Sequence, residues 1–154
     1  MSILGFDGKI YYNNADLTAG GPTFVEMTNA RDVTTTASSD ASDASDRGSF
    51  YKNFIQGMID LETSTTLTYR TGDPAIAYFQ GLFENRGTTI IQVLDGPNDV
   101  AGSEGYQYGC FVASLDFEQN LNDSMTFNMT FKPTYVEDSL AVVYNAEWIT
   151  TAAP

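Results

Sequence analysis

The sequence predicts a mainly β protein with one helix lying on a sheet, and three observations carry that prediction. GMIDLETSTTLTYRT, from Gly57, alternates apolar and polar residues, and so do YGCFVASLDFEQ and SMTFNMTFKP further on. Alternation with a period of two gives a strand one dry and one wet face, because successive side chains project to opposite sides. Only the stretch from Asp73 to Gly87 repeats apolar residues at helical spacing. At 154 residues there is material for one substantial core, so one domain is expected.

The elements follow in order. KIYY at residues 9–12 reads as a short strand running into the turn Asn13-Asn14-Ala15-Asp16, and Gly20-Gly21-Pro22 reads as a loop. Phe24 to Ala37 reads as one long strand with Val25, Met27 and Val33 on one parity. Residues 37–46, built from Ser, Ala and Asp, offer nothing to a core and are expected to be flexible. From Gly57, Ile59, Leu61, Leu67 and Tyr69 form the dry side of a strand, and Asp60, Glu62, Ser64, Thr66, Thr68 and Arg70 the wet side.

The helix has Asp73 as its N-cap, Pro74 in its first turn and a stripe of Ile76, Phe79, Leu82 and Phe83 that should pack on the sheet. TTIIQVLDGPN is a strand ending in the turn Asp95-Gly96-Pro97, and a polar loop runs on to Gly105. Phe111, Ala113, Leu115 and Phe117 are the dry side of the next strand, and Met125, Phe127, Met129 and Phe131 that of its antiparallel neighbour. Asn120-Leu121-Asn122-Asp123 joins the two as hairpin chemistry. Beyond Pro133 an apolar tail carrying Tyr144 and the single Trp148 either adds a strand or reaches to another subunit.

Composition removes several classes of function. Without histidine there is no Ser-His-Asp or Cys-His catalysis, and zinc loses its commonest ligand. Cys110, the only cysteine, sits in an apolar run and forms no internal disulfide. Neither a leader-like N-terminus nor an apolar run of about 18 residues is present, so a soluble protein made in the cytoplasm, without membrane insertion, is expected. A formal charge of −13 disfavours tight binding to nucleic acid, which needs Lys and Arg to displace counterions.

The oddest stretch is ASSDASDASDRGSFY, where Asp40, Asp43 and Asp46 recur every third residue before Arg47, Phe50 and Tyr51. Calcium loops place oxygens at alternate positions around a central glycine, which this spacing does not match, and no metal is expected. A pliable acidic segment followed by Phe50, Tyr51 and Phe54 suits either ordering against a neighbouring molecule or local packing of the aromatics. The pairs Asp60/Glu62 and Asp116/Glu118 have glycosidase chemistry, yet acids on the wet parity of a strand are ordinary. No catalytic residue and no cofactor is expected. The Asn122-Asp-Ser124 and Asn128-Met-Thr130 tripeptides fit the glycosylation pattern by chance.

Taken in order, GKIYY, RDVT, the acidic loop ending in DRGSFYKNF, GMIDLETSTTLTY, one helix, VLDG, and GCFVASLDF leading to SMTFNMTFKP resemble the tail tube (major tail) proteins of long-tailed bacteriophages. The resemblance covers roughly residues 5–133. It implies a small β-sandwich or barrel flanked by one helix, at residues 1–133, and a C-terminal extension at 134–154. Six copies would close into a ring, and rings would stack into a hollow tube through which the genome leaves the capsid. The resemblance transfers no enzymatic residue. It implies that the loop from Ser38 to Phe54, with Asp40, Asp43, Asp46, Arg47, Phe50, Tyr51 and Phe54, contacts adjacent subunits or the next ring. The implied partners are copies of the chain itself, the tape measure, tail terminator and baseplate or tip proteins, and DNA in transit. The implied place is the virion tail, assembled in the host cytoplasm.

Six copies at −13 each carry −78 formal charges, enough for an acidic lining that repels DNA phosphates. Asp60, Glu62, Asp116 and Glu118 are the candidates for that lining, the outer surface being the alternative. The tube of a gene transfer agent or phage-like injection system is a second reading. A monomeric carbohydrate- or calcium-binding β-sandwich is a third, and an Asp/Glu-dependent enzyme a fourth.

Overall fold

The structure, a computed structural model, describes residues 4–152. A 3-10 turn at Gly5–Asp7 leads into β1 (Lys9–Asn13), followed by β2 (Phe24–Glu26), β3 (Ala30–Asp43), β4 (Phe54–Thr68), α1 (Pro74–Glu84), β5 (Thr89–Leu94), β6 (Glu104–Glu118), β7 (Thr126–Pro133) and β8 (Glu147–Thr150). Among the described residues these strands form one antiparallel sheet in the order β2-β1-β5-β6-β7-β4-β3, with β8 added beside β6. The protein is thus mainly β with one helix, its sheet curled into a half-barrel.

The helix forms where the sequence places it. The Asp73 carboxylate accepts from the Ala75 N–H at 2.9 Å, Pro74 fills the first turn, and Ile76 and Phe79 are buried against the sheet. Phe79 is the hub of the core, with its ring 5.1 Å from Tyr12 and 5.3 Å from Phe131. Around it pack Leu61, Leu67, Ile91, Tyr108, Cys110, Phe127 and Met129. Phe83, expected in the same stripe, is exposed because the helix ends one residue later and the sheet does not extend beneath it.

Polar groups on the core side are mostly satisfied. The Tyr78 hydroxyl donates to Thr89, whose hydroxyl donates to the Asn13 carbonyl, tying helix, β5 and β1 together. The Tyr108 hydroxyl donates to Thr63, whereas the buried Thr65 hydroxyl has no partner among the described residues.

Four expectations are corrected. The strand from Phe24 to Ala37 is two strands, because the chain turns at Thr28 and Asn29, where the Asn29 amide donates to the Thr68 carbonyl. Residues 37–43 are not flexible coil but the continuation of β3, held by pairing such as Ser38↔Asp60 and Ser42↔Ile55. Ile59 has the dry parity of β4 and is nevertheless exposed, because β7 pairs with β4 only from Thr63 onward. Phe111 is exposed because a bulge between Val112 and Ser114 reverses parity along β6. Before the bulge the core side is Tyr108, Cys110 and Val112; after it, Leu115 and Phe117.

The segment after Pro133 covers the other face of the sheet. Val136 is buried against Gly109, where an added Cβ would lie 2.6 Å from the valine methyl, and the Gly109 N–H donates to the Tyr144 carbonyl at 2.9 Å. Asp138 ties the turn that follows, accepting from the Leu140 and Val142 N–H groups and from the Tyr144 hydroxyl. β8 then pairs along β6, with Trp148 opposite Tyr106 and the two rings perpendicular at 5.0 Å.

Candidate assembly surfaces

The first surface is an arm. β3 and β4 run past the end of β7 as a two-stranded ribbon, and every residue from 36 to 60 is exposed. The part of β3 that runs past β7, Thr36 to Asp43, spans about 26 Å, so the ribbon projects beyond the core. Its tip is closed by short bonds: Ala44 N–H to the Asn53 carbonyl at 2.8 Å, Ser45 N–H to the Asp43 carboxylate at 2.8 Å, and Gly48 N–H to the Asp46 carboxylate at 2.8 Å. Bonds from the Ser45 side chain and backbone hold the Asp43 carboxyl below the usual range. Asp43 and Asp46 are therefore turn-forming residues, and no group of three acidic, His or Cys side chains gathers among the described residues.

Phe50, Tyr51 and Phe54 lie at or beside the tip with Arg47, and none of the three aromatics is buried. Ile55, Met58 and Ile59 add to this exposed apolar surface, with Met58 at 93% of its full accessibility. Sequence reasoning read Ile59 as buried, since a dry parity reads the same whether the covering layer belongs to the same chain or to another, and it did not single out Ile55 or Met58.

The second surface is an acidic face. Strand parity and register place Asp60, Glu62, Asp116 and Glu118 on the same side of the sheet, opposite the core. One row across it reads Asp116, Asn128, Thr66 and Asp32, and the next reads Ser114, Thr130, Ser64 and Thr34. Asp32, which the sequence did not single out, joins the four predicted acids there. Lys132 lies on this face as well, 3.9 Å from Glu62. The two acidic pairs, distant in sequence, are thus brought to one polar, Ser/Thr-rich wall.

The third feature is a pair of open edges. β5 pairs with β6 only as far as Thr89↔Cys110, so among the described residues no strand lies beside that edge of β6 from Phe111 to Glu118. The outer edge of β3 is equally unpaired in the sheet order. The wall formed by β6, β7, β4 and β3 therefore ends in exposed backbone on both sides, which is the arrangement that favours pairing with another chain.

Tyr144 and Trp148 lie in the segment that packs back on its own sheet. Burial and the adjacent Asp138 push the Tyr144 hydroxyl up to about 12. Burial opposes ionisation of Asp138, but the bonds from Val142, Tyr144 and Leu140 prevail and hold its carboxyl low. Trp148 remains 60% exposed on β8. No helix of the described residues is long and apolar enough to cross a membrane.

No family model and no curated protein matches the chain. Solved structures do. The SPP1 tail tube is similar with a TM-score of 0.74 at 10% identity, over 99% of this chain and 81% of that one. The tail of an empty gene transfer agent particle, of C6 symmetry, has a TM-score of 0.69 at 15% identity, over 98% of this chain and 100% of that one. A chain of the anti-feeding prophage baseplate has 0.60 at 8% identity, over 97% and 96%. At these identities the likeness is one of fold, shared with a tail tube, a gene transfer agent tail and a baseplate.

Proposed function

We propose that this chain is a structural tail protein that assembles with copies of itself into stacked rings of six, making a hollow tube through which DNA passes. The observation that carries the reading is the wall of β6, β7, β4 and β3, polar on one side, packed on the other, and open at both edges. Joining the β3 edge of one copy to the Phe111–Glu118 edge of the next satisfies both rows of backbone groups, and repetition around a ring closes both edges of the wall. The arm, from Asp40 through Phe54, then buries its apolar side chains against a neighbouring subunit or the next ring. Asp32, Asp60, Glu62, Asp116 and Glu118 face the bore, where they repel phosphates and let the duplex slide.

In this reading the partners are other copies, the tape measure, terminator and tip proteins, and the protein resides in a virion tail assembled in the host cytoplasm. The likeness to a gene transfer agent tail favours a second reading with the same assembly and a different cargo. The nucleic acid recovered from purified particles separates the two. Electron microscopy of the concentrated protein tests both, with tubes or stacked rings expected; isolated monomers at every concentration would overturn the assembly. Converting Asp60, Glu62, Asp116 and Glu118 to their amides tests the bore lining, which slower genome ejection would support and unchanged kinetics would overturn.

A further inference from the structure

A groove lies between the C-terminal end of α1 and the start of the open β6 edge. Leu82, Phe83, Arg86, Phe111, Val112 and Thr134 line it, and its cavity volume is about 590 Å³. It exists because the chain before Thr89 leaves β6 and rises into Gly87 and the helix, uncovering Phe111 and the edge beyond.

Arg86 sits there in a conformation that glycine adopts more cheaply. Its φ is 55°, its N–H donates to the Phe83 carbonyl at 3.3 Å, and the Gly87 N–H donates to the Leu82 carbonyl at 2.9 Å. This is the paired-bond helix ending in which a left-handed residue follows the cap, a position usually given to glycine. Arginine at that position strains the backbone, and its guanidinium makes no salt bridge among the described residues. A strained residue points to a role outside local stability.

Strand directions supply the occupant. β3 is antiparallel to β4, β4 to β7 and β7 to β6, so β3 runs antiparallel to β6. A second copy in the same orientation, with its β3 laid on the Phe111–Glu118 edge, advances from Glu118 toward Phe111. Its arm therefore enters the groove. Charges match as well: the incoming arm carries Asp40, Asp43 and Asp46 toward Arg86, and Arg47 toward Glu84, which lines the same groove.

We propose that this groove is the receptor for the arm of a second copy, with Arg86 receiving an arm carboxylate and Leu82, Phe83 and Phe111 covering the arm's exposed apolar side chains. This rests on the ring reading above and adds the site at which neighbouring subunits lock.

The test uses the full chain. Arg86→Gly removes the charge and relaxes the backbone, so the monomer should melt at the same temperature or higher, while assembly should need about tenfold more protein or worse. Arg86→Asp should abolish assembly, and adding Asp40→Arg, which leaves the bonds of the arm's tip in place, should restore it. Tubes from Arg86→Gly and Arg86→Asp at the wild-type concentration would overturn the proposal while leaving the ring reading intact. Failure of the charge swap to restore assembly would overturn the arm as occupant. Wild-type protein that never assembles would overturn the ring reading and this proposal with it.

Discussion

One strand, β4, passes through two environments. From Leu61 to Thr68 every second side chain is sealed against the helix and β7, and Leu67 is fully buried. From Phe54 to Asp60 the same strand is paired on one side only, and Phe54, Ile55, Met58 and Ile59 lie in solvent. The outer half is the more apolar, with Phe54, Ile55, Met58 and Ile59 against Leu61 and Leu67 in the inner half, yet only the inner half is given a covering layer by the chain itself. A folded protein seldom leaves this much contiguous apolar surface open without a partner to cover it. The inner half of β4 stabilises the subunit, and the outer half holds its hydrophobic surface for association.

This contrast can be broken at either end. The largest effect should come from removing the outer half: replacing residues 38–60 with an Asn-Gly turn between Ala37 and Leu61 should abolish tube formation. The monomer's melting temperature should move by only a few degrees, since no residue from 36 to 60 is buried. A comparable loss of stability in the truncated monomer would show that the arm serves the fold. At the other end, Phe79→Ala should cost about 3–5 kcal/mol by denaturant unfolding, because it empties the hub of the aromatic core.

Smaller effects sharpen the comparison on the two faces of the sheet. Gly109→Ala forces a methyl toward Val136 and should cost about 1–3 kcal/mol as the C-terminal segment lifts. Thr65→Val should stabilise the monomer by about 1 kcal/mol, since it replaces a buried hydroxyl that has no partner among the described residues. The least effect is one of pH. The Asp138 carboxyl titrates lower in the fold than unfolded, so its contribution is complete above the ordinary carboxylate range and fades as pH falls through the lowered value. Trp148 fluorescence should report that loosening, and Asp138→Asn should remove the acid dependence.

The sequence made most elements legible, since period-two alternation and a well-capped helix are local signals. It concealed whatever depended on pairing. The Ser-Ala-Asp run has poor strand propensity and becomes strand because β4 lies alongside it. The bulge at Val112–Ser114 leaves no mark in the composition, yet it decides that Phe111 faces out and Leu115 faces in. The acidic pairs could each be read as one face of one strand; that Asp60, Glu62, Asp116 and Glu118 share a wall with Asp32 depends on β7 lying between β4 and β6. Arg86 gave no signal at all, because its significance lies in a backbone angle.

The thiol of Cys110 is wholly enclosed, and burial pushes its ionisation well above the ordinary range. The native chain should therefore be silent toward maleimides while folded. A cysteine introduced at Ser49 or Ser45 on the arm would be the sole labelling point, so fluorophores or spin probes placed there could follow polymerisation in real time without altering the parent molecule's own sulfur.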